Sequence, residues 1–222
     1  MTRRAAAFRS FLLWGAALAV LSSVSAEPSL SGRRIVIDPG HGTIDFDRRV
    51  INTGKSRDGV FENRITMEIA LYLGKILEED GATVYFTRNK EDYWREGYSP
   101  AEDNKARAYF ANELNADALI CIHCDWNPSR RFRGVTTFYE KPNSAELGSW
   151  IQRTLVRDLR TTDRGVVKDS FTILDHAEMP TVLVETGFLS NRSEGKSLLQ
   201  SDYQKKVAGA LASAIRGFFS NK

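Results

Sequence analysis

Histidine and cysteine are scarce in this sequence, which has three histidines and two cysteines among 222 residues. Both cysteines lie in Cys121-Ile122-His123-Cys124, and the apolar residues before this segment predict a strand. Residues three apart on a strand are separated by about 10 Å, beyond the roughly 7 Å between Cα atoms that a disulfide spans. This spacing excludes a disulfide between the two cysteines. We expect two small buried thiols, with an extra metal ligand as the alternative.

The apolar run near the amino terminus, Phe11 to Leu21, is too short to cross a membrane. Arg3, Arg4 and Arg9 precede it, and the small residues Val24-Ser25-Ala26 follow it. A positive, an apolar and a small-residue segment in this order are typical of an export signal. We therefore predict that the chain up to Ala26 is removed on export. Because no cysteine directly follows that site, we expect no stable membrane anchor.

An excess of charge of either sign is also lacking once the predicted export signal is set aside. Its three arginines account for the whole formal net charge of +3, so the remaining chain is neutral. A neutral domain lacks the positive charge that attracts nucleic acid, and we expect no such partner. The sequence shows no repeats and no linker. The remaining length suits one domain with a full core.

Strand and helix patterns alternate through the rest of the chain. Short apolar runs predict strands, and apolar residues that recur every three or four positions predict helices. Their order predicts a single α/β domain with an about six-stranded, mostly parallel, twisted sheet flanked by helices on both faces. The predicted strands are residues 33–38, 82–87, 118–123, 134–140, 171–174 and 181–185, and the predicted helices are residues 62–79, 100–114, 145–159 and one from Ser201. The second helix is expected to direct Ala106, Tyr109, Phe110 and Leu114 inward.

Side chains that can bind a metal ion stand at the ends of predicted core strands. His41 follows one strand, His123 and Glu185 end two others, and Glu62 opens the first helix. Binding sites in parallel sheets form beyond the carboxyl ends of the strands, where an unpartnered polar group would destabilise the fold. Two histidines and a carboxylate favour one zinc ion with an open position, and a second carboxylate favours a base. Core histidines and an ion-paired Glu185 are the alternatives.

Several short blocks of the sequence carry a resemblance to a known family. The most specific block, in Met179 to Asn191, has a glutamate that ends an apolar strand and is followed by Thr-Gly-Phe. The others are Val36 to Gly42, Glu62, Thr87-Arg88, Arg107, Ala111-Asn112, Ala116-Asp117, Ile122-His123 and Arg164 to Val166. From about Arg34 to the last helix, the chain resembles the zinc-dependent N-acetylmuramoyl-L-alanine amidases (amidase type 3) of bacterial cell walls.

This resemblance implies a role for four residues. His41, Glu62 and His123 would bind zinc, and Glu185 would be the catalytic acid/base. The substrate would be peptidoglycan, cleaved at the amide between the lactyl group of N-acetylmuramic acid and the L-alanine of the stem peptide. Residues 1–26 would then be the signal peptide and residues 27–222 the zinc amidase catalytic domain, which would act in the periplasm or in the cell wall.

Two other functions fit the same residues. A zinc peptidase would cut within the stem peptide, and a catalytically silent module would only bind peptidoglycan. The silent module has no need for Glu185, and its presence therefore favours an enzyme. We expect a monomer, and the sequence does not say whether a protein activator is needed.

The sequence departs from the family next to two of the implied ligands. The stretch from Gly42 to Phe61 is several residues longer than usual, with Asp and Arg residues between positions 45 and 49 in place of a glycine-rich run. The usual Ser-Ile-His-Ala-Asn is here Cys-Ile-His-Cys-Asp. Because Cys121 is two residues from His123 on a strand, its thiol is expected on the side of the metal.

Four further features near the predicted site each allow two interpretations. Asp38 either orients His41 or stabilises the Asp-Pro-Gly turn. Trp126 either forms a wall for the substrate or covers the core. His176 is expected in a loop, near the substrate or in solvent. The three arginines between positions 130 and 133 are expected in a solvated turn, with contact to stem-peptide carboxylates as the alternative.

Overall fold

The computed structural model of the protein describes residues 29–42, 52–88 and 99–220. The predicted export signal, and the Asp and Arg residues between positions 45 and 49, lie outside these ranges. Among the described residues, no helix is both long enough and apolar enough to cross a membrane.

Strands and helices alternate along the described chain. The strands are β1 (Arg34–Pro39), β2 (Ser56–Arg57), β3 (Val60–Phe61), β4 (Thr83–Phe86), β5 (Ala118–Asp125), β6 (Val135–Tyr139), β7 (Asp163–Lys168) and β8 (Thr181–Phe188). The helices are α1 (Glu62–Glu79), α2 (Pro100–Glu113), α3 (Ala145–Leu159), α4 (Thr172–His176), α5 (Glu194–Leu198) and α6 (Ser201–Ser220), with one 3-10 turn at Pro142–Ser144.

Six strands form one sheet in the order β4-β1-β5-β8-β6-β7. Its neighbouring strands are parallel except β6 and β8, which run antiparallel. The register pairs Asp38 of β1 with Cys121 of β5, and His123 of β5 with Glu185 of β8. The predicted six-stranded, mostly parallel sheet in a single α/β domain is confirmed. Strands β1, β5 and β8 are neighbours in this sheet. Their carboxyl ends, which lie far apart in the sequence, therefore meet at one edge of the sheet.

Helices cover both faces of the sheet because its inner strands are apolar on both sides. Successive residues of a strand point to opposite faces. Ile120 and Ile122 pack with α1, α3 and α6, whereas Leu119 and Cys121 pack with α2 and α4. The last helix, α6, lies against α1 and α3. Its buried face is the predicted one: Val207, Leu211, Ile215 and Phe218.

The inner face of α2 differs from the prediction. Tyr109 is 49% exposed and Phe110 is also exposed, whereas Arg107 and Ala111 are buried. Small side chains let α2 approach the sheet, and Asp38 neutralises the Arg107 guanidinium at 2.9 Å. The prediction followed the large apolar residues. It was wrong for Tyr109 and Phe110, because this face combines alanine with a paired charge, whereas Leu114 packs against the core as predicted.

The strand predicted at residues 171–174 is also wrong, because this segment belongs to α4. The backbone N–H of Asp175 donates to the carbonyl of Phe171 at 2.9 Å, as in a helical turn. The sixth strand of the sheet is instead β7, which pairs with β6 at the sheet edge. Its sequence, Asp-Arg-Gly-Val-Val-Lys, is mostly polar and mostly exposed, so it lacks the apolar pattern of a core strand.

Candidate metal centre

The turn after β1 places His41 by fixing its backbone. The carbonyls of Pro39 and Gly40 accept hydrogen bonds from the Arg88 guanidinium at 2.8 and 3.2 Å. Arg107 donates to the carbonyl of His41 at 2.9 Å. His41 has a φ of 65°, in the left-handed region where a residue with a side chain is strained. Two buried guanidiniums thus hold this turn in a conformation that a histidine disfavours.

Asn52, rather than Asp38, orients the His41 ring. The Nδ1 atom of His41 lies 2.9 Å from the Oδ1 atom of Asn52. A proton on Nδ1 would leave the lone pair of Nε2 free for a metal ion. Asp38 instead accepts hydrogen bonds from Arg107 and from the Thr87 hydroxyl. Burial opposes the ionisation of Asp38, but these two neighbours hold its pKa below the usual range.

Glu62 lies at the centre of the predicted ligand group. It is the first residue of α1, is 3% exposed, and its Oε2 atom lies 3.0 Å from Nε2 of His41. Its Oε1 atom lies 3.4 Å from Nδ1 of His123. The backbone N–H groups of Lys55 and Cys124 donate to the same carboxylate at 3.2 and 2.9 Å. The structure brings the three predicted ligands together, with one ligand atom from each within 4.8 Å of the others.

The Glu62 carboxylate stays ionised although it is buried. Burial alone would raise its pKa, but hydrogen bonds and charge from His123 and His41 lower the pKa far below its usual value. Burial likewise opposes protonation of His41, yet the hydrogen bond and charge of Glu62 raise the pKa of that imidazole. An ionised carboxylate between two imidazoles is a donor set that zinc binds in hydrolases.

Two glycines leave room for the ligand side chains. A Cβ atom at Gly40 would lie 2.5 Å from the His123 ring. A Cβ atom at Gly54 would lie 2.5 Å from Oε2 of Glu62 and 2.7 Å from the His41 ring. Real Cβ atoms do not approach side chains this closely, so the ligand group fills the space that glycine provides. The residues present therefore fit a zinc ion in two respects. The three side chains are of types that zinc binds, and the neighbouring glycines leave space for them.

Glu185 presents an unpartnered carboxyl oxygen beside this group. It lies on β8, directly across from His123 on β5. Its Oε2 atom is buried and has no hydrogen-bond partner. Burial raises the pKa of Glu185 well above its usual value, and the nearby charges of Glu62 and Asp125 raise it further. This carboxyl therefore differs from Glu62, because its surroundings favour the protonated form rather than the ionised form.

The two cysteines are free, buried thiols, as the strand spacing predicted. The Cys121 thiol lies beside Asp38, and burial raises its pKa. The Sγ atom of Cys124 lies 3.4 Å from the Thr186 hydroxyl. Among the described residues, the potential metal-binding group contains His41, Glu62 and His123 and neither cysteine. The expected approach of Cys121 to the metal is therefore not observed.

The remaining predicted features divide between the site and the surface. Trp126 is 41% exposed and lines a cleft, so it does not cover the core. Arg130 lines the same cleft. His176 lies in α4 rather than in a loop, with Nδ1 2.8 Å from the Thr172 carbonyl and its ring against Tyr109. It is not part of the ligand group.

Sequence reasoning missed Asn52 and Gly54, which contact the ligands directly. Both lie in the polar stretch between Gly42 and Phe61, where the sequence has no periodic pattern. The only signal was the length of this stretch, because long loops in compact domains are usually functional.

Comparisons with known proteins point to one family. The sequence model for N-acetylmuramoyl-L-alanine amidases matches residues 35–217. The germination-specific N-acetylmuramoyl-L-alanine amidase of Bacillus subtilis is 32% identical over 202 residues, which cover 87% of this chain and 82% of that protein.

Solved structures agree with the sequence matches. The CwlD amidase of Clostridioides difficile, solved in complex with the GerS lipoprotein, has a TM-score of 0.76 and 30% identity, covering 86% of this chain and 100% of that one. The catalytic domain of the amidase CwlV from Bacillus (Paenibacillus) polymyxa var. colistinus has a TM-score of 0.75 and 26% identity, covering 86% and 99%. With its α/β fold and the matched residues 35–217, this chain belongs to the N-acetylmuramoyl-L-alanine amidase family of peptidoglycan hydrolases.

Proposed function

We propose that the protein is a zinc-dependent amidase that cleaves between the lactyl group of N-acetylmuramic acid and the L-alanine of the stem peptide. The observation that carries this proposal is the unpartnered, buried carboxyl of Glu185 beside the group of His41, Glu62 and His123. These three residues would hold one zinc ion. When bound, zinc would lower the pKa of a water molecule and polarise the carbonyl to be attacked.

Glu185 would carry the proton in this reaction. Because burial raises its pKa, its carboxylate is a better base than an exposed one. It would take a proton from the attacking water and return it to the leaving amine of L-alanine. Glu62 has its pKa lowered instead and would stay ionised as a ligand. Two neighbouring glutamates thus have separate roles because their surroundings shift their pKa values in opposite directions.

Replacing Glu185 by glutamine tests its role. Glu185→Gln should lower kcat on purified peptidoglycan by about 10²- to 10⁴-fold, which is the usual contribution of a general acid/base. The variant should still hold one zinc ion per chain, measured by atomic absorption. Glu178→Gln, at an exposed position just before β8, is the matched control and should keep full activity. Wall lysis by Glu185→Gln at the wild-type rate would contradict the proposed role.

Metal content and reaction products test the site and the reaction. The purified protein should hold zinc, and His41→Ala or His123→Ala should reduce the zinc content. Mass spectrometry of digested peptidoglycan should find free stem peptides that begin with L-alanine. Fragments cut inside the stem peptide would support the zinc peptidase instead. Binding to peptidoglycan without any cleavage would support the silent module.

Export and location belong to the same proposal. Residues 1–26 would direct the protein to the periplasm or to the cell wall, where its substrate lies. A relative in Staphylococcus epidermidis is described as a probable cell wall amidase, which supports this location. Sequencing the amino terminus of the exported protein should give a start after Ala26. The monomeric state stays a prediction.

A further inference from the structure

A cleft of about 420 Å³ is lined by segments that adjoin the candidate metal centre along the chain. One wall comes from the β2–β3 hairpin, including Arg57, and the other from the segment after β5, including Trp126 and Arg130. Ser190, just after β8, contributes to its lining. None of these residues has a part in the proton transfer proposed for Glu185, so the cleft needs its own explanation.

The walls of the cleft continue directly from the metal centre. Trp126 follows His123 by three positions along the same chain segment. Lys55, at the base of the hairpin, donates its backbone N–H to Oε2 of Glu62 at 3.2 Å. A substrate whose scissile amide lies at the metal centre would therefore extend from there into the cleft.

Two arginines, Arg57 and Arg130, and one acid line the cleft, and Lys55 lies next to it, over one of the lining side chains. The Nζ atom of Lys55 lies 4.9 Å from the centre of the Trp126 ring. Among the described residues, Lys55 contacts Glu62 through its backbone and Trp126 through its ammonium, Arg130 contacts Asn191 through its carbonyl, and neither side chain pairs with a carboxylate. Arg57 differs, because it donates to the carbonyls of Leu189 and Asn191 and thus holds the wall in place. The one acid among the described lining residues, Asp58, lies 3.6 Å from Arg57.

We propose that this cleft binds a carboxylate of the stem peptide, on the side of the leaving L-alanine. Lys55 and Arg130 would pair with the carboxylate, and Trp126 would form an apolar wall for the peptide. This inference rests on the proposed amidase function. A free carboxylate fits two cations that have no carboxylate partner in the described part of the chain better than N-acetylated sugars do, because those sugars carry no charge. The Lys55 ammonium over the Trp126 ring also leaves that face unsuited to stacking with a sugar.

Two soluble muropeptides with the same glycan test this subsite. One has free carboxylates on its stem peptide, and in the other these carboxylates are amidated. The wild-type protein should cleave the free acid with a kcat/KM about fivefold higher, as expected for partly exposed ion pairs. Lys55→Met and Arg130→Gln should each remove most of this preference by raising KM for the free acid, with the amidated substrate unaffected. Arg131→Gln, an exposed neighbour outside the cleft, should keep the wild-type preference.

Each other outcome is decisive. Equal cleavage of both muropeptides by the wild-type protein would overturn the carboxylate subsite but leave the amidase function standing. An equal loss on both substrates in the two variants would assign Lys55 and Arg130 a structural role and also overturn it. If Trp126→Ala slows only substrates with a longer glycan, the cleft binds sugar instead. Cleavage of neither substrate by the zinc-loaded protein would overturn the amidase function and the inference together.

Discussion

At the scale of single residues, the two glutamates of the centre differ in their partners. Glu62 accepts two backbone N–H groups and lies against two imidazoles, whereas Oε2 of Glu185 accepts nothing. In a buried site, a partnered carboxylate keeps its charge and an unpartnered one keeps its proton. This contrast, rather than the residue type, is the basis for proposing that Glu62 is a ligand and Glu185 a proton carrier.

The pH dependence of stability should reveal the raised pKa of Glu185. In the metal-free folded protein Glu185 keeps its proton above 4.5, its ordinary value, whereas the unfolded chain loses it. Stability should therefore decline as the pH rises above 4.5, and Glu185→Gln should remove this decline. The pKa of His41 is also raised, from 6.5, so this residue lowers stability with rising pH only above 6.5.

Urea unfolding of the metal-free protein between pH 4.5 and 6.5 measures this effect. The difference in unfolding free energy between Glu185→Gln and wild type should grow in favour of the variant across that range. A difference that stays constant with pH would show that Glu185 ionises in the folded protein as it does in the unfolded chain.

Two glycines of the hairpin region provide a matched pair of substitutions. Gly54 and Gly59 both have positive φ, at 71° and 80°, so alanine strains the backbone at either position. Only a Cβ atom at Gly54 would meet Glu62 and His41, because nothing lies within 4 Å of one at Gly59. Gly54→Ala should lower zinc affinity, measured by competition with a chelator, at least tenfold more than Gly59→Ala. Equal zinc affinities would show that the ligand group tolerates a side chain there.

At the scale of elements, α2 holds the turn after β1 through one side chain. The Arg107 guanidinium reaches from α2 to Asp38 and to the carbonyls of Pro39 and His41. Arg88, just after β4, contacts the same turn from the other neighbouring element. The left-handed backbone of His41 is thus stabilised from both sides. The position of His41 depends on Arg107 in α2 and on Arg88 after β4.

Removing this contact should destabilise the protein strongly. Arg107→Met leaves Asp38 buried without its charged partner, which should cost about 3–5 kcal/mol of unfolding free energy. Arg157→Met breaks an ion pair of similar length with Asp158 on the surface and should leave stability unchanged. Urea unfolding of both variants makes the comparison. Adding Asp38→Asn to Arg107→Met should restore part of the loss, and no recovery would argue against a charge effect.

At the scale of the whole molecule, the sequence predicts helices better than the sheet edges. The boundaries of α1 and α3 agree with the predicted residues 62–79 and 145–159, because both helices have a strong apolar period. The edge strand β7 escaped prediction because solvent, rather than the core, surrounds most of its side chains.

The candidate site likewise contains residues that the sequence predicts and residues that it does not. The four predicted residues lie at one edge because β1, β5 and β8 are neighbours, and strand ends can be read from apolar runs. Asn52, Gly54 and the pairing of Asp38 with Arg107 could not be predicted, since they depend on how loops and a helix fold back onto the turn.

Zinc should stabilise the entire domain because its three ligands come from separate elements. At a free zinc concentration about 100-fold above the dissociation constant, the unfolding free energy should rise by about 2.7 kcal/mol. Urea unfolding with and without a chelator measures this gain. His176→Ala removes the one described histidine outside the ligand group and should leave the gain intact. Identical unfolding curves with and without zinc would contradict a ligand set of His41, Glu62 and His123.

The strand order also sets when during synthesis the activity can arise. Strand β8 lies between β5 and β6 in the sheet, although it follows both of them in the sequence. Glu185 on β8 thus reaches the metal centre last, although His41, Glu62 and His123 are made long before it. A chain interrupted before β8 would have the three residues proposed to bind zinc but lack the carboxyl proposed to carry the proton.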